Sequence, residues 1–301
     1  MSPITVVEGR RLSLTNLDKV LYPETGTTKG EVLHYCTTTA DVLLAHLHDR
    51  PVSFLRYPDG PGGQRFFTKN VPPGTPSWVK TCEVPHSRSA PTRQVLIQDL
   101  ATLVWAANLV VELHAPQWTR DAPGLADRLV FDLDPGAPAT VVECCTAARW
   151  LRDRLAADGL DAYVKTSGSK GLHLIVPVEP TPAEHTTGYA RTLAVEARTA
   201  LPGLVVHKMT RALRAGKVFV DFSQNAAAKT TAVAYTLRAR PTPTVSTPVT
   251  WDEVAACTEP GQLAFRFDEI AERRERHGDL LGPLLDPGRA RPLPRATRRL
   301  A

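Results

Sequence analysis

Between residues 129 and 224 the chain alternates strand and helix patterns in an order that leaves few folds open. LVFDLDPG (129–136) has the composition of a buried strand and is stopped at once by Pro135-Gly136. VECCTAARWLRDRLAADG (142–159) places apolar residues at helical spacing and closes on Gly159. AYVKTSGSKGLHLIVPV (162–178) reads as strand, Gly-rich turn, strand. A helix over 183–200 and a strand at KVFVDFSQ (217–224) complete the series. This order predicts an α/β sheet with antiparallel pairing in its second half.

The amino-terminal part carries weaker signals. LTNLDKVLYPETG (14–26) predicts a short helix begun by Thr15 or Asn16 and stopped at Pro23. Thr28 and Glu31 have capping-box spacing at the head of another helix. PVSFLRYP (51–58) predicts a strand, followed by the turn DGPGGQ and then RFFTKN. LATLVWAANLVVEL (100–113) predicts a core helix with HAPQW (114–118) as a rigid exit. Asn108 and Glu112 interrupt that stretch, and it is too short to cross a bilayer. The segment 286–301 is rich in Pro and Arg without periodicity, and is expected to be a mobile basic tail after a globular part spanning 1–285.

A length of 301 residues allows one large domain or two smaller ones. A formal charge of +5 weakly favours a polyanionic partner. Five Cys without a CxxC pair suggest neither a disulfide framework nor a zinc site, and the adjacent Cys144 and Cys145 read as helix packing. With no signal-peptide pattern, the expectation is a soluble, cytoplasmic protein.

The chemistry starts from Asp132 and Asp134. In a strand, residues i and i+2 share a face, so the two carboxylates meet on one side while Phe131 and Leu133 pack on the other. Like charges that close call for a divalent cation. SGSKGLHLIVP (167–177) then places Gly168 and Gly171 where backbone must turn tightly, with Ser167, Ser169 and Lys170 as donors for a phosphate and His173 on the next strand. This is not a Walker A loop, because its spacing is absent and a strand follows. VFVDFSQN (218–225) sets a third acid, Asp221, inside an apolar strand. Three carboxylates can hold two divalent ions around a 3′ oxygen, a transferred phosphoryl group and a leaving pyrophosphate. Together with later basic residues such as Arg238, they make the set needed to transfer a nucleotide from a triphosphate.

LVFDLDPG, SGSKGLHLIVP and VFVDFSQNAAAKTTAVAYTLR, in this order, resemble the archaeo-eukaryotic primase superfamily, and within it the polymerase domain of bacterial ligase D. The resemblance runs from LTNLDKVLYP to the TPVTWDEV segment (247–254). It implies a primase-polymerase fold, with an RRM-like catalytic sheet and an interleaved amino-terminal α/β subdomain. It further implies that Asp132, Asp134 and Asp221 ligate two metal ions, manganese or magnesium, and that Ser167, Lys170, His173 and Arg238 hold the triphosphate. His114 resembles the histidine that reads a ribose 2′-hydroxyl, and Phe66 and Phe67 the aromatic pair near the incoming base. Gln224 matches a polar position beside the third acid, and Arg56 remains of a basic pair whose other position is Leu55 here. Asn16, Lys19 and Lys29 fall where the family binds the 5′-phosphate of a downstream strand; Arg211 and Arg214 fall in its primer-template loop.

The resemblance thus implies a DNA repair polymerase that fills gaps and extends 3′ ends in non-homologous end joining, preferring ribonucleotides. Its implied partners are 5′-phosphorylated DNA ends, nucleoside triphosphates, a Ku-type end binder and a DNA ligase, which implies association with the nucleoid. No KxDG ligase nucleophile occurs, so this chain alone is not expected to seal a nick. Two other readings remain at this level: a non-catalytic DNA-end-binding module, and a manganese glycosyltransferase of the DxD type.

Overall fold

The computed structural model describes residues 4–85 and 90–294. The chain divides into two compact units, each assembled from three stretches of sequence. The first unit takes the chain up to Ala115 together with Thr230–Ser246 and Phe265–Asp279. The second takes Pro116–Lys229, Thr247–Ala264 and the chain from Leu280.

In the first unit, β1 (Ile4–Val7) and β2 (Arg10–Ser13) form a hairpin, and β3 (Val20–Tyr22) and β4 (Thr27–Thr28) form a second one. The helix predicted over 14–26 is therefore a correction: this stretch is turn and strand. Asn16 sits at φ 53° and Gly26 at φ 70°, conformations that no α-helix passes through. The Lys19 N–H closes a turn on the Asn16 carbonyl at 3.0 Å, and Leu21 and Tyr22 are buried from the strand that follows. Helix α1 (Lys29–Thr38) opens on the capping box: Thr28 Oγ1 accepts the Glu31 N–H and the Glu31 carboxylate accepts the Thr28 N–H.

After α2 (Ala40–Leu47) come β5 (Pro51–Arg56), β6 (Phe66–Thr68), β7 (Thr81–Val84) and β8 (Thr92–Leu96), then α3 (Leu100–Asn108) and β9 (Val111–Ala115). The helix predicted to reach 113 stops at Asn108. Val110 turns the chain with φ 57°, and VELHA pairs with β5 as a strand, so His114 and Ala115 end that strand instead of opening a loop. Thr231–Ala232 returns to pair with β9, giving the sheet order Thr231–Ala232, β9, β5, β8, β7, with β6 also on β5.

The second unit holds β10 (Leu125–Pro135), α4 (Val141–Ala157), β11 (Tyr163–Thr166), β12 (Leu172–Pro182), α5 (Ala183–Ala200), β13 (Val205–Val206) and β14 (Val218–Asp221). The sheet order is β13, β14, β10, β12, β11, with Pro248–Val249 at the far edge. The four central strands and two helices make a βαββαβ element with strand order 4-1-3-2, the RRM-type sheet. All its pairings are antiparallel; β13 is added in parallel to β14. Helices α4 and α5 pack on β10 and on each other. Cys144, Ala147, Leu151, Leu193 and Ala197 are buried from the helices, and Phe131, Leu133, Leu174 and Val220 from the sheet.

The segment expected to be a basic tail starts out tied to this sheet. Val178 forms a bridge with Arg291, and the Glu179 N–H donates to the Arg291 carbonyl at 3.0 Å. Residues 295–301 lie outside the described residues. No helix among the described residues is long and apolar enough to cross a membrane.

Candidate active site

The register of the second sheet sets one polar row across four strands. Asp221 on β14 lies opposite Asp132 on β10, Asp132 opposite His173 on β12, and His173 opposite Lys165 on β11. Directly opposed residues share a face, and Asp134 joins that face two residues beyond Asp132. The His173 Nε2 is 3.3 Å from Asp132 Oδ1, and its Nδ1 is 2.9 Å from the Lys165 ammonium. An ammonium can only donate, so Nδ1 accepts and Nε2 carries the proton towards Asp132.

The acids are not buried alike, which corrects the picture of two carboxylates inside a buried strand. Asp221 is buried, Asp132 is half-buried and Asp134, at the strand end, is exposed. The cost of like charge is thus reduced by solvent at one of the three. Among the described residues no three His, Cys, Asp or Glu side chains are gathered closely enough to hold a metal ion. The acids line a face and do not form a cage.

The turn after β14 fixes Asp221. Its Oδ1 accepts the Ser223 N–H at 2.9 Å and the Ser223 hydroxyl at 2.6 Å, and its Oδ2 accepts from Gln224 Nε2 at 3.0 Å. Gln224 therefore orients the acid that precedes it. Asn225 replaces a strand neighbour where β14 has ended: its Oδ1 accepts the Val130 N–H, and its Nδ2 donates to the Val130 carbonyl. That carboxamide keeps β10 extended on the approach to Asp132.

The Gly-rich turn is built by its serine. Ser167 Oγ accepts the backbone N–H groups of Ser169 and Gly171 at 3.2 and 3.1 Å, Gly168 takes φ 66°, and Lys170 is exposed at the tip. Gly171 lies against the backbone of the carboxylate strand, where any Cβ would collide with the Leu133 carbonyl oxygen. On the other flank Gly136 lies equally close to the Arg214 carbonyl, and the Gly216 N–H donates to the Gly136 carbonyl at 3.0 Å. The basic loop is thereby docked at the end of β10. Arg211 heads its short 3-10 turn. Arg214 is not a freely solvated charge: its guanidinium stacks 3.7 Å from the Phe219 ring centre and donates to the Met209 carbonyl.

The remaining candidates belong to the first unit. Glu112 is buried, and its Oε2 accepts from Arg238 Nε and His114 Nε2, both at 3.0 Å. Burial pushes this carboxyl up, but the bonds from His114, Arg238 and the Ala239 N–H outweigh it and hold the group at about 2. Phe67 meets the His114 ring edge-on at 6.2 Å, and Phe66 and Phe67 are both exposed on β6. In the β5–β6 pairing, Leu55 lies opposite Phe67 and Arg56 opposite Phe66.

At the β3–β4 hairpin, Lys19 Nζ donates to Asp59 Oδ1 at 2.6 Å and to the Pro58 carbonyl at 2.8 Å. Lys29 is buried and donates to Thr15 Oγ1 at 3.2 Å. Burial, with Lys19 as a second positive charge, lowers its ammonium to about 8. Asn16, in a left-handed conformation, closes the turn that leads into this hairpin.

Lys165, Glu112 and Asn225 were not singled out from the sequence. Lys165 and His173 sit symmetrically about the Gly-rich turn, a spacing that a hairpin register would have exposed. Glu112 read only as a break in an apolar helix.

A βαββαβ sheet that carries three aspartates on one face beside a Gly-rich turn is the arrangement expected of a primase-polymerase. Residues 28–281 match the model of the LigD primase-polymerase domain, and the chain belongs to that family. It is 45% identical over 278 residues to the multifunctional non-homologous end joining protein LigD of Mycolicibacterium smegmatis, covering 91% of this chain and 36% of that protein. The corresponding protein of Mycobacterium tuberculosis H37Rv is 43% identical over 282 residues, covering 90% of this chain and 37% of the relative. The bifunctional LigD of Bacillus subtilis is 30% identical over 271 residues, with 89% and 43% covered. Among solved structures, the polymerase domain of Mycobacterium tuberculosis ligase D in complex with DNA superposes with a TM-score of 0.87 at 43% identity. That match covers 91% of this chain and 98% of the domain. The chain spans a little over a third of its mycobacterial relatives. Membership of this family sets aside the glycosyltransferase reading.

Proposed function

We propose that this chain is a template-dependent nucleotidyltransferase that fills gaps and extends 3′ ends at DNA double-strand breaks during non-homologous end joining. The observation that carries the reading is the row of Asp221 and Asp132, with Asp134 beside them, on the RRM-type sheet of a chain in the LigD primase-polymerase family.

The donor chemistry fits hard divalent cations: three carboxylates, no thiolate, and Asp221 already oriented by Ser223 and Gln224. Asp132, Asp134 and Asp221 would hold two manganese or magnesium ions. Bound there, the ions would neutralise charge on the attacking 3′ oxygen and the leaving pyrophosphate. The chain's own residues do the positioning. Lys170 offers a point charge and Ser167 a hydroxyl to the triphosphate, and His173, whose Nε2 proton points at Asp132, would turn that donor to a phosphate oxygen when Asp132 binds metal. In the first unit, Arg238 serves the phosphates, His114 reads the ribose 2′-hydroxyl, and Phe66 and Phe67 offer faces on which any base can stack. Arg56 supports nucleotide binding from the neighbouring strand. Arg211 and Arg214 engage primer and template; Asn16, Lys19 and Lys29 take a downstream 5′-phosphate. A Ku-type end binder and a DNA ligase complete the proposed partners.

Primer extension on a gapped duplex tests this reading. Metal-dependent addition is expected, faster with ribonucleotides than deoxyribonucleotides, and stimulated when the gap carries a 5′-phosphate. Retained binding to the phosphorylated gap without turnover would identify an end-binding module instead.

The lysine pair makes a separate prediction. Below pH 8 the Lys29 ammonium is charged and attracts phosphate; above it the charge is lost. Preference for 5′-phosphate over 5′-hydroxyl gaps is therefore expected to fall as pH rises from 7 to 9, measured by fluorescence anisotropy. Lys29→Met should remove that pH dependence, and a native preference that is flat across this range would exclude Lys29 from the phosphate pocket.

A further inference from the structure

The buried carboxylate of Glu112 has no role in the chemistry described so far, yet it holds two of the residues assigned to the nucleotide. Glu112 and His114 are i and i+2 on β9 and so share a face. One oxygen, Oε2, takes both His114 Nε2 and Arg238 Nε at 3.0 Å, while Oε1 takes the Ala239 N–H at 2.6 Å. With the side chain 3% exposed, this carboxylate is worth far more electrostatically than a solvated one. It fixes β9 to the chain returning at Arg238, where the Leu113 N–H also donates to Thr236 Oγ1 at 2.9 Å.

The chemistry of the contact is more specific than a salt bridge. An ionised carboxylate only accepts, so His114 Nε2 must carry a proton. In the neutral imidazole, Nδ1 is then the acceptor, the partner that a hydroxyl donor requires. We propose that Glu112 is a positioning residue that holds His114 in the Nε2–H tautomer and thereby sets discrimination between ribose and deoxyribose. This inference rests on the reading of His114 as the group that meets the 2′-hydroxyl. Arg238, held by the same oxygen, couples that discrimination to the placement of the phosphates.

Two measurements decide it. In the native chain, long-range 15N–1H spectra of labelled histidine, assigned with His114→Ala, should show a protonated Nε2 and an unprotonated Nδ1. The opposite tautomer, or an imidazolium with both nitrogens protonated, overturns the proposal, and this test needs no variant of Glu112. Second, Glu112→Gln keeps the shape but removes the charge and brings an N–H2 group to a place where only acceptors fit. The ratio of kcat/KM for a ribonucleotide to that for the matching deoxyribonucleotide should fall about tenfold, the size of one hydrogen bond to a hydroxyl. It should then equal the ratio in His114→Ala, and the double variant should lower it no further. An equal loss for both nucleotides would mean that Glu112 is only structural, and an unchanged ratio would exclude it from sugar reading. A native chain with no preference for ribonucleotides would instead sink the assignment of His114, whatever tautomer the spectra show.

Discussion

Asp132→Asn is expected to leave a folded chain whose nucleotide transfer has dropped by on the order of a thousandfold or more. The substitution keeps the size of the side chain and an oxygen that can still accept from His173 Nε2, so the positioning of that ring survives. What is lost is one of the three negative charges that share a face of the sheet. Two consequences separate this from general damage. Without metal, the variant should melt no lower than the native chain, because Asp132 faces Asp221 across the pair and removing one like charge relieves the other. With millimolar manganese, the native chain should gain thermal stability and the variant should gain much less. Single-turnover extension and melting with and without manganese measure both. Full activity in Asp132→Asn, or equal stabilisation of both chains, would remove Asp132 from the metal site.

Gly171→Ala carries the largest expected effect on stability. Its Cβ would overlap the Leu133 carbonyl oxygen, a backbone atom on the strand between Asp132 and Asp134. No rotamer relieves such a clash, so the turn or β10 must shift, at about 2–4 kcal/mol. The urea midpoint should fall accordingly with an unchanged slope. The Gly188 position in α5 supplies the control, since a Cβ there meets nothing within 4 Å. Gly188→Ala should stabilise by about 0.5–1 kcal/mol. Because Ser167 Oγ accepts the N–H of Gly171, the displaced turn should also lose affinity for triphosphate. Equal midpoints for Gly171→Ala and the native chain would mean that the contact with Leu133 is soft.

The second unit was the more legible in the sequence because burial and period agree there. Helix α5 begins and ends where its apolar spacing does, and the acids stood out because each interrupts a run of strand residues. The first unit misled for a physical reason. Leu14, Leu17 and Leu21 repeat at intervals that suit a helical stripe, and the left-handed Asn16 and Gly26 replace it with a turn and a hairpin. Likewise Val110 adopts a left-handed φ that a β-branched residue is rarely given, so nothing local marks the end of α3. Lys165 and Glu112 were hidden because the value of a buried charge depends on its partner. Those partners lie on the neighbouring strand for Lys165 and on a returning segment for Glu112.

The row of Asp221, Asp132, His173 and Lys165 draws one residue from each of four strands, in an order that is not the order of synthesis. Asp221 comes from the last strand of the βαββαβ element and Asp132 from the first, so loop closure across the whole element precedes their meeting. A nascent or partly unfolded chain therefore has the acids but not the row. If these acids carry the chemistry as proposed, nucleotide transfer begins only once this last strand has paired, and activity would report that the sheet is complete.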